Sequence, residues 1–218
     1  MRIGILGSGL MGAKLGTLFA RAGHDVVFSY ARSARKLERL AREAGNAARA
    51  GTPADAARHA DAVLLAVHWS RVDDVLKQAG ELSRTVVVSC VIPMNADDTA
   101  LVVGLRSSAA ERIARKRRGL RLVSAFGTVP SEVLFDVYAA RRRKPRPDLV
   151  LCGDDNGAKK VAARLIRDVG FSPVDLGPLR MARYTEPFSL LIAQLAYERR
   201  RDPAIAYRFV RLGPRRRR

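Results

Sequence analysis

The opening stretch Met-Arg-Ile-Gly-Ile-Leu-Gly-Ser-Gly-Leu-Met-Gly-Ala-Lys-Leu-Gly constrains the fold of this chain more than any other. An apolar run, Ile3, Ile5 and Leu6, opens directly onto Gly7-x-Gly9-x-x-Gly12, and Leu15, Leu18, Phe19 and Ala22 then recur at helical spacing. A glycine motif in that position marks a strand-to-helix turn. Gly7 permits the tight turn, Gly9 admits an anionic group where a Cβ would block it, and Gly12 lets the helix pack on the strand. Unpaired amides at the helix start, with the positive end of the helix dipole, favour a pyrophosphate. Gly7, Ser8, Gly9, Leu10, Met11 and Gly12 are therefore the first candidate binding residues. The alternative is a glycine-rich turn without a ligand, and the strand and helix flanking it weigh against that.

A dinucleotide-binding turn of this kind is usually followed, about 20 residues on, by an acid that binds the ribose 2′-OH of NAD. Here no Asp or Glu occurs between Asp25 and Glu38. Arg32, Arg35 and Lys36, with the hydroxyls of Ser29 and Ser33, offer charge and donors to a 2′-phosphate instead, which selects NADP over NAD. Arg35 and Lys36 equally suit the solvated face of the helix expected over 33–44; Arg32 lies nearer the strand end.

Further along, Thr52-Pro53-Ala54-Asp55 has the form of a helix start, with Thr52 as the cap. Asp61 to Val67 is a continuous apolar run of the sort buried on both faces of a parallel sheet, and it ends in His68-Trp69-Ser70. Ligands of open α/β sheets sit beyond the carboxyl ends of strands, which places Val67, His68 and Trp69 beside the nicotinamide half of a dinucleotide. A hydrogen-bonded loop histidine and a packing tryptophan are the plainer readings of the last two. Strands are expected at 85–93, 120–126, 148–152 and 172–176, with helices at 72–79, 107–118, 131–140, 158–169 and 183–200, and a loop at 46–51. Leu190, Leu191, Leu195 and Ala196 form an apolar face on the last helix, expected to pack on another subunit or on the sheet. The alternation gives an α/β, Rossmann-type, doubly wound parallel sheet with a small C-terminal helical extension. Its expected divisions are an NADP-binding domain at 1–180, a helical extension at 181–212 and a disordered basic tail at 213–218.

No apolar run approaches the roughly 20 residues needed to span a bilayer, and the N-terminus has no signal-peptide pattern, so a cytoplasmic protein without membrane contact is expected. Cys90 and Cys152 cannot build a disulfide framework, lack metal-ligand spacing and are expected to be reduced and buried. The formal charge of +19 would suit a polyanion, but the basic clusters at 112–121, 141–146 and 215–218 carry no interleaved aromatics, which argues against nucleic acid. A general bias toward arginine explains the excess equally well.

Several blocks are similar to the family of NADP oxidoreductases that use the deazaflavin coenzyme F420. They are Gly7-Ser8-Gly9-Leu10-Met11-Gly12, Ser89-Cys90-Val91-Ile92-Pro93, Val123-Ser124-Ala125-Phe126-Gly127-Thr128-Val129-Pro130, Cys152-Gly153-Asp154-Asp155 and Asp175-Leu176-Gly177-Pro178-Leu179-x-x-Ala182-Arg183, spread over residues 1–197. The resemblance implies that Tyr30, Ala31, Arg32 and Arg35 meet the adenosine 2′-phosphate and that Val67, Ile92 and Ala125 line the nicotinamide. Two departures stand out. Tyr30 and Ala31 replace a more polar pair, and Gly127 stands where His or Asn is common.

The implied activity is hydride passage between NADP(H) and F420 as co-substrate, in a homodimer. Such a reaction needs two stacked rings and exclusion of water, with no catalytic side chain and no metal, because the cofactors carry the chemistry. F420 bears a phosphate and an oligoglutamate tail, for which the basic loop 141–146 is a candidate dock. An NADPH-dependent reductase of a flavin, ferric chelate, carbonyl or imine is the alternative enzyme, and a non-catalytic NADP-binding sensor the alternative of another class.

Overall fold

The computed structural model describes residues 1–45, 47–199 and 203–213. The element order is β1 (Arg2–Leu6), α1 (Leu10–Arg21), β2 (Asp25–Ser29), α2 (Ala34–Ala44), β3 (Ala48–Ala50), α3 (Pro53–Ala57), β4 (Ala62–Leu65), α4 (Val72–Ala79), β5 (Val86–Ser89), α5 (Ala109–Lys116), β6 (Arg121–Ala125), α6 (Leu134–Ala139), β7 (Asp148–Gly153), α7 (Asn156–Asp168), β8 (Ser172–Asp175) and α8 (Ala182–Ala193). Beyond α8, Gln194–Arg199 continues as a π-helical turn. Among the described residues no helix is long and apolar enough to cross a membrane.

One sheet carries every strand, in the order β3-β2-β1-β4-β5-β6-β7-β8. Its two faces bury separate clusters. Ile3, Ile5, Phe28, Leu64 and Val88 join Leu15, Leu18 and Phe19 of α1 on one side, while Leu6, Val27, Val63, Leu65 and Val87 join α3, α4 and α5 on the other. Alternate residues of Ala62-Val63-Leu64-Leu65 thus enter opposite layers, which is why that strand reads as an unbroken apolar run. Each such large side chain contributes about 1.5–3 kcal/mol on burial. Thr52 caps α3 in the expected box: its Oγ1 accepts the Asp55 N–H at 3.1 Å and Asp55 Oδ2 accepts the Thr52 N–H at 3.0 Å.

The α/β, Rossmann-type sheet expected from the sequence is present and mostly parallel, with three differences of detail. The parallel arrangement runs from β1 to β6, but β7 pairs antiparallel with β6, and β8 runs parallel to β7. The chain re-enters the sheet at the edge it left, after a connection that includes the short α6. Second, the loop expected at 46–51 contains β3, which pairs with β2 as the sheet's edge; Asn46 lies outside the described residues.

Third, the helical extension expected over 181–212 is not helical throughout: residues 203–213 contain no helix, and the segment lies across the start of β7, where the Asp148 N–H donates to Tyr207 O at 2.8 Å. The expected basic tail falls outside the described residues from 214 onward. On α8 the expected apolar face divides, because neighbouring stripes of a helix point about 100° apart. Ala196 is buried, whereas Leu191 and Leu195 are 62% and 47% exposed. Both cysteines are free, with Cys152 buried and Cys90 only partly so.

Candidate functional site

Beyond the carboxyl end of β1 the glycines separate by role. Gly7 has φ +113°, and a Cβ on it would lie 2.4 Å from Ala66 O and 2.6 Å from Val67 Cγ1. On Gly12 a Cβ would lie 1.8 Å from Gly7 O. Both positions are closed to other residues by the protein itself. Gly9 differs: its φ is −74°, and a Cβ there would meet nothing within 4 Å. Neither backbone strain nor packing requires glycine at that point, and the space over it is room for a ligand. As N-cap of α1, Gly9 makes no side-chain cap, and the first helical bond runs from the Ala13 N–H to Gly9 O at 2.9 Å, which leaves the amides of Leu10, Met11 and Gly12 at an open helix start. Leu10 is exposed and Met11 half-buried. Ser8 faces the scaffold, its hydroxyl donating to Ser29 O at 2.9 Å and its N–H to Tyr30 O.

At the end of β2, Tyr30 adopts φ +59°, a conformation that costs a non-glycine residue about 1–2 kcal/mol, and its hydroxyl donates to Asp74 of α4. Burial, together with that carboxylate, pushes the Tyr30 phenol up to about 12. Nothing in the sequence links Tyr30 to Asp74. Ala31 packs against the core, and Arg32 and Arg35 are exposed. The two serines expected to help a phosphate are engaged elsewhere: Ser29 Oγ is buried and donates to Ile5 O at 2.7 Å, and Ser33 caps α2.

Toward the other end, Val67 and Ile92 lie just beyond the carboxyl ends of β4 and β5, and Ala125 is the last residue of the neighbouring β6. A narrow cleft between β5 and β6 is lined by Ser89, Cys90, Ile92, Ala125, Gly127 and Glu186. A Cβ on Gly127 would lie 2.7 Å from Ile92 Cδ1, so its glycine lets Ile92 lie across the cleft. Phe126, fully buried, takes φ +67° and is held there edge-on to Phe19 at 6.2 Å. Strained residues at the carboxyl ends of both β2 and β6 mark this edge of the sheet. The Cys90 and Cys152 thiols are pushed up to about 12 by burial, which removes both as nucleophiles at neutral pH.

His68 and Trp69 brace this end. His68 Nδ1 accepts the Ser70 N–H at 3.2 Å, which assigns the proton to Nε2, and Nε2 donates to Asn95 O at 3.1 Å with Asp98 Oδ1 at 3.5 Å. The histidine thereby straps down residues 94–101, a loop closed by the Met94–Leu101 bridge. Trp69 packs half-buried on the α4 layer.

Glu186 is the functional-site residue that the sequence reading missed. From α8 it places Oε2 2.8 Å from the Ala109 N–H and Oε1 3.1 Å from the Ala110 N–H, so a buried carboxylate closes the start of α5. Burial pushes the carboxyl up to about 7 against the pull of those amides. Helix α8 consequently crosses the carboxyl ends of β5 and β6. The available signal was an acid on the stripe shared with Ala182 and Ser189, both buried.

Residues 2–93 match the family model described as NADP oxidoreductase, coenzyme F420-dependent. Over those residues the chain is similar to this family. The match covers the glycine turn and runs through β5 to Pro93. A hypothetical protein from Sinorhizobium meliloti is 28% identical, with a TM-score of 0.72 over 82% of this chain and 86% of that one. A protein of Arthrobacter sp. for which F420-dependent NADP-reductase activity is proposed has a TM-score of 0.84 over 97% of this chain and all (100%) of its own, at 21% identity, and shares the fold. The metalloreductase STEAP3 of Rattus norvegicus is 26% identical over 189 residues, 87% of this chain but 36% of its own length. The chain thus spans about a third of that relative (36%).

Proposed function

We propose that this protein is an oxidoreductase that binds NADP(H) over the glycine turn and transfers a hydride directly between it and coenzyme F420. The open space above Gly9 carries the reading, because it is the one glycine of the motif whose missing side chain serves nothing in the protein itself. The residues present fit the nucleotide. Ser8 shapes the turn while the amides of Leu10, Met11 and Gly12 hold the pyrophosphate. Tyr30 and Ala31 flank the adenosine, and Arg32 and Arg35, without ion pairs among the described residues, take the 2′-phosphate. Val67, Ile92 and Ala125 exclude water from the nicotinamide side, and His68 and Trp69 fix the loops that frame it.

When bound, the nicotinamide and the deazaflavin supply the hydride donor and acceptor between them. The protein's part is to stack and dry them. Free cysteines fit a reducing compartment, and we place the protein in the cytoplasm. The exposed Leu191 and Leu195 support a homodimer, and the division of the chain at about residue 180 follows the point where α8 begins.

Mixing the purified protein with NADPH and F420 while following both absorbances tests the reading, with NADH as control. Loss of the deazaflavin band with NADPH alone is the expected result; no change in either band overturns it. The likeness to a metalloreductase over 87% of the chain favours a second reading, NADPH-dependent reduction of a flavin or ferric chelate, for which NADPH oxidation would require one of those acceptors.

A further inference from the structure

A second concave region lies at the same sheet edge, on the far side of β6. Because β7 runs antiparallel to β6, its start at Asp148 is level with the loops leaving β4, β5 and β6. There an open cleft of about 690 Å³ is lined by Lys144, Arg146, Arg167 and Arg208, with Phe171 and Phe209 between them. The one carboxylate in the lining, Asp148, accepts the Phe209 N–H through Oδ2 at 2.6 Å. Half-exposed cations elsewhere have found partners, Arg121 on Asp155 and Arg183 on Glu111. None of the four in this cleft has a carboxylate partner among the described residues, and Arg146 Nε is shielded from solvent with no hydrogen-bond partner at all.

Other arginines of the basic loop are turned away. Arg141 lies over the Tyr138 ring at 4.0 Å and donates to Tyr138 O, and Arg143 lines an adjoining hollow with Val137 and Ala206. The expectation of a basic dock at 141–146 therefore narrows to Lys144 and Arg146, joined by two arginines distant in sequence. An aromatic ridge leads to them from the hydride site. The Tyr207 hydroxyl is 2.8 Å from Thr128 Oγ1, just beyond β6, and its ring meets Phe188 at 5.3 Å and Phe209 at 5.5 Å.

We propose that Lys144, Arg146, Arg167 and Arg208 bind the anionic arm of the hydride acceptor, a run of carboxylates or phosphates reaching across Tyr207 from the β6 loop. Like charges gathered without counter-ions repel one another, and a multivalent anion relieves that while supplying Arg146 with its acceptor. The assignment rests on the hydride-transfer reading for its ligand, but the anion site can be tested apart from it.

Calorimetry of the full chain with triglutamate and with tripolyphosphate reads the site alone, and steady-state kinetics with F420 reads the arm. Binding of either probe is expected to weaken about tenfold between low and moderate salt and to be lost in Arg146→Gln/Arg208→Gln, while NADPH affinity and circular dichroism stay unchanged. In that variant KM for F420 is expected to rise about tenfold with kcat retained. Equal probe binding by variant and parent, or none by the parent, overturns the site. Lost probe binding with an unchanged KM overturns the assignment to the acceptor's arm. Should the protein not reduce F420 at all, the hydride reading falls and calorimetry still decides the anion site.

Discussion

At the glycine turn three glycines and a single strand terminus form a cradle, whereas at the other end of the candidate site the walls come from the exits of β4, β5 and β6, from α8 and from the strapped loop 94–101. The first is backbone chemistry: an open helix start and a turn that only glycine can make. The second is assembled from groups distant in sequence, such as the Glu186 carboxylate and the Ala109 N–H it accepts from, 77 positions apart. A cradle of local backbone withstands change around it and fails when one atom is added to it; an assembled wall responds by degrees.

The sharpest way to break the contrast is Gly9→Val. Nothing of the protein lies within 4 Å of the added Cβ, so stability is expected to fall by no more than about 1 kcal/mol, the scale of an N-cap change. NADPH affinity should drop at least about a hundredfold, worth ~2.7 kcal/mol. An unchanged dissociation constant would remove the ligand from the glycine turn.

At the assembled end the largest effect belongs to Glu186. Its folded pKa of about 7 stands above the ordinary value of 4.5, so the folded protein holds a proton there that the unfolded chain has released. Stability from this group is complete below about pH 4.5 and is lost as pH rises through 7. The loss is on the order of 3 kcal/mol. Chemical denaturation between pH 5 and 8 should show it, and Glu186→Gln should flatten the slope; equal slopes in both proteins would place the titration elsewhere.

Smaller effects sharpen the comparison. Arg32→Gln removes one charge-assisted contact, about 1.5–3 kcal/mol, and is expected to weaken NADPH but not NADH; equal weakening of both would deny it the 2′-phosphate. His68→Ala should cost about 1 kcal/mol of local stability, read as hydrogen exchange several-fold faster across 94–101. Unaltered protection there would mean that Asn95, whose Oδ1 accepts the Thr99 and Ala100 N–H groups at 2.9 Å each, holds the loop without the histidine.

Strands β1, β4 and β5 and the α1 turn were legible because each declares itself within a few residues, by an apolar run or a glycine at fixed spacing. Arg32 stands out in the sequence as a charge where an acid is usual, and the structure leaves it exposed. Ser29 and Ser33 were read by type, as donors for a phosphate, and the structure engages both in the scaffold, since a hydroxyl near a strand end has nearby carbonyls and helix amides to satisfy. Asp74, Glu186 and Tyr207 gave no cue of comparable strength. Their partners are 44 to 79 residues away, and periodicity reports which face a residue lies on, not what that face meets.

The amino-acid sequence by itself determined the α/β alternation, the strand-to-helix glycine turn and the absence of an acid after β2, all consequences of local backbone freedom and side-chain period. Only the tertiary structure decided that β7 turns back, because the side-chain alternation of a strand is the same whichever way it runs. From that reversal follow the path of residues 203–209, the crossing of α8 over β5 and β6, and the meeting of Lys144 and Arg146 with Arg167 and Arg208 in one cleft.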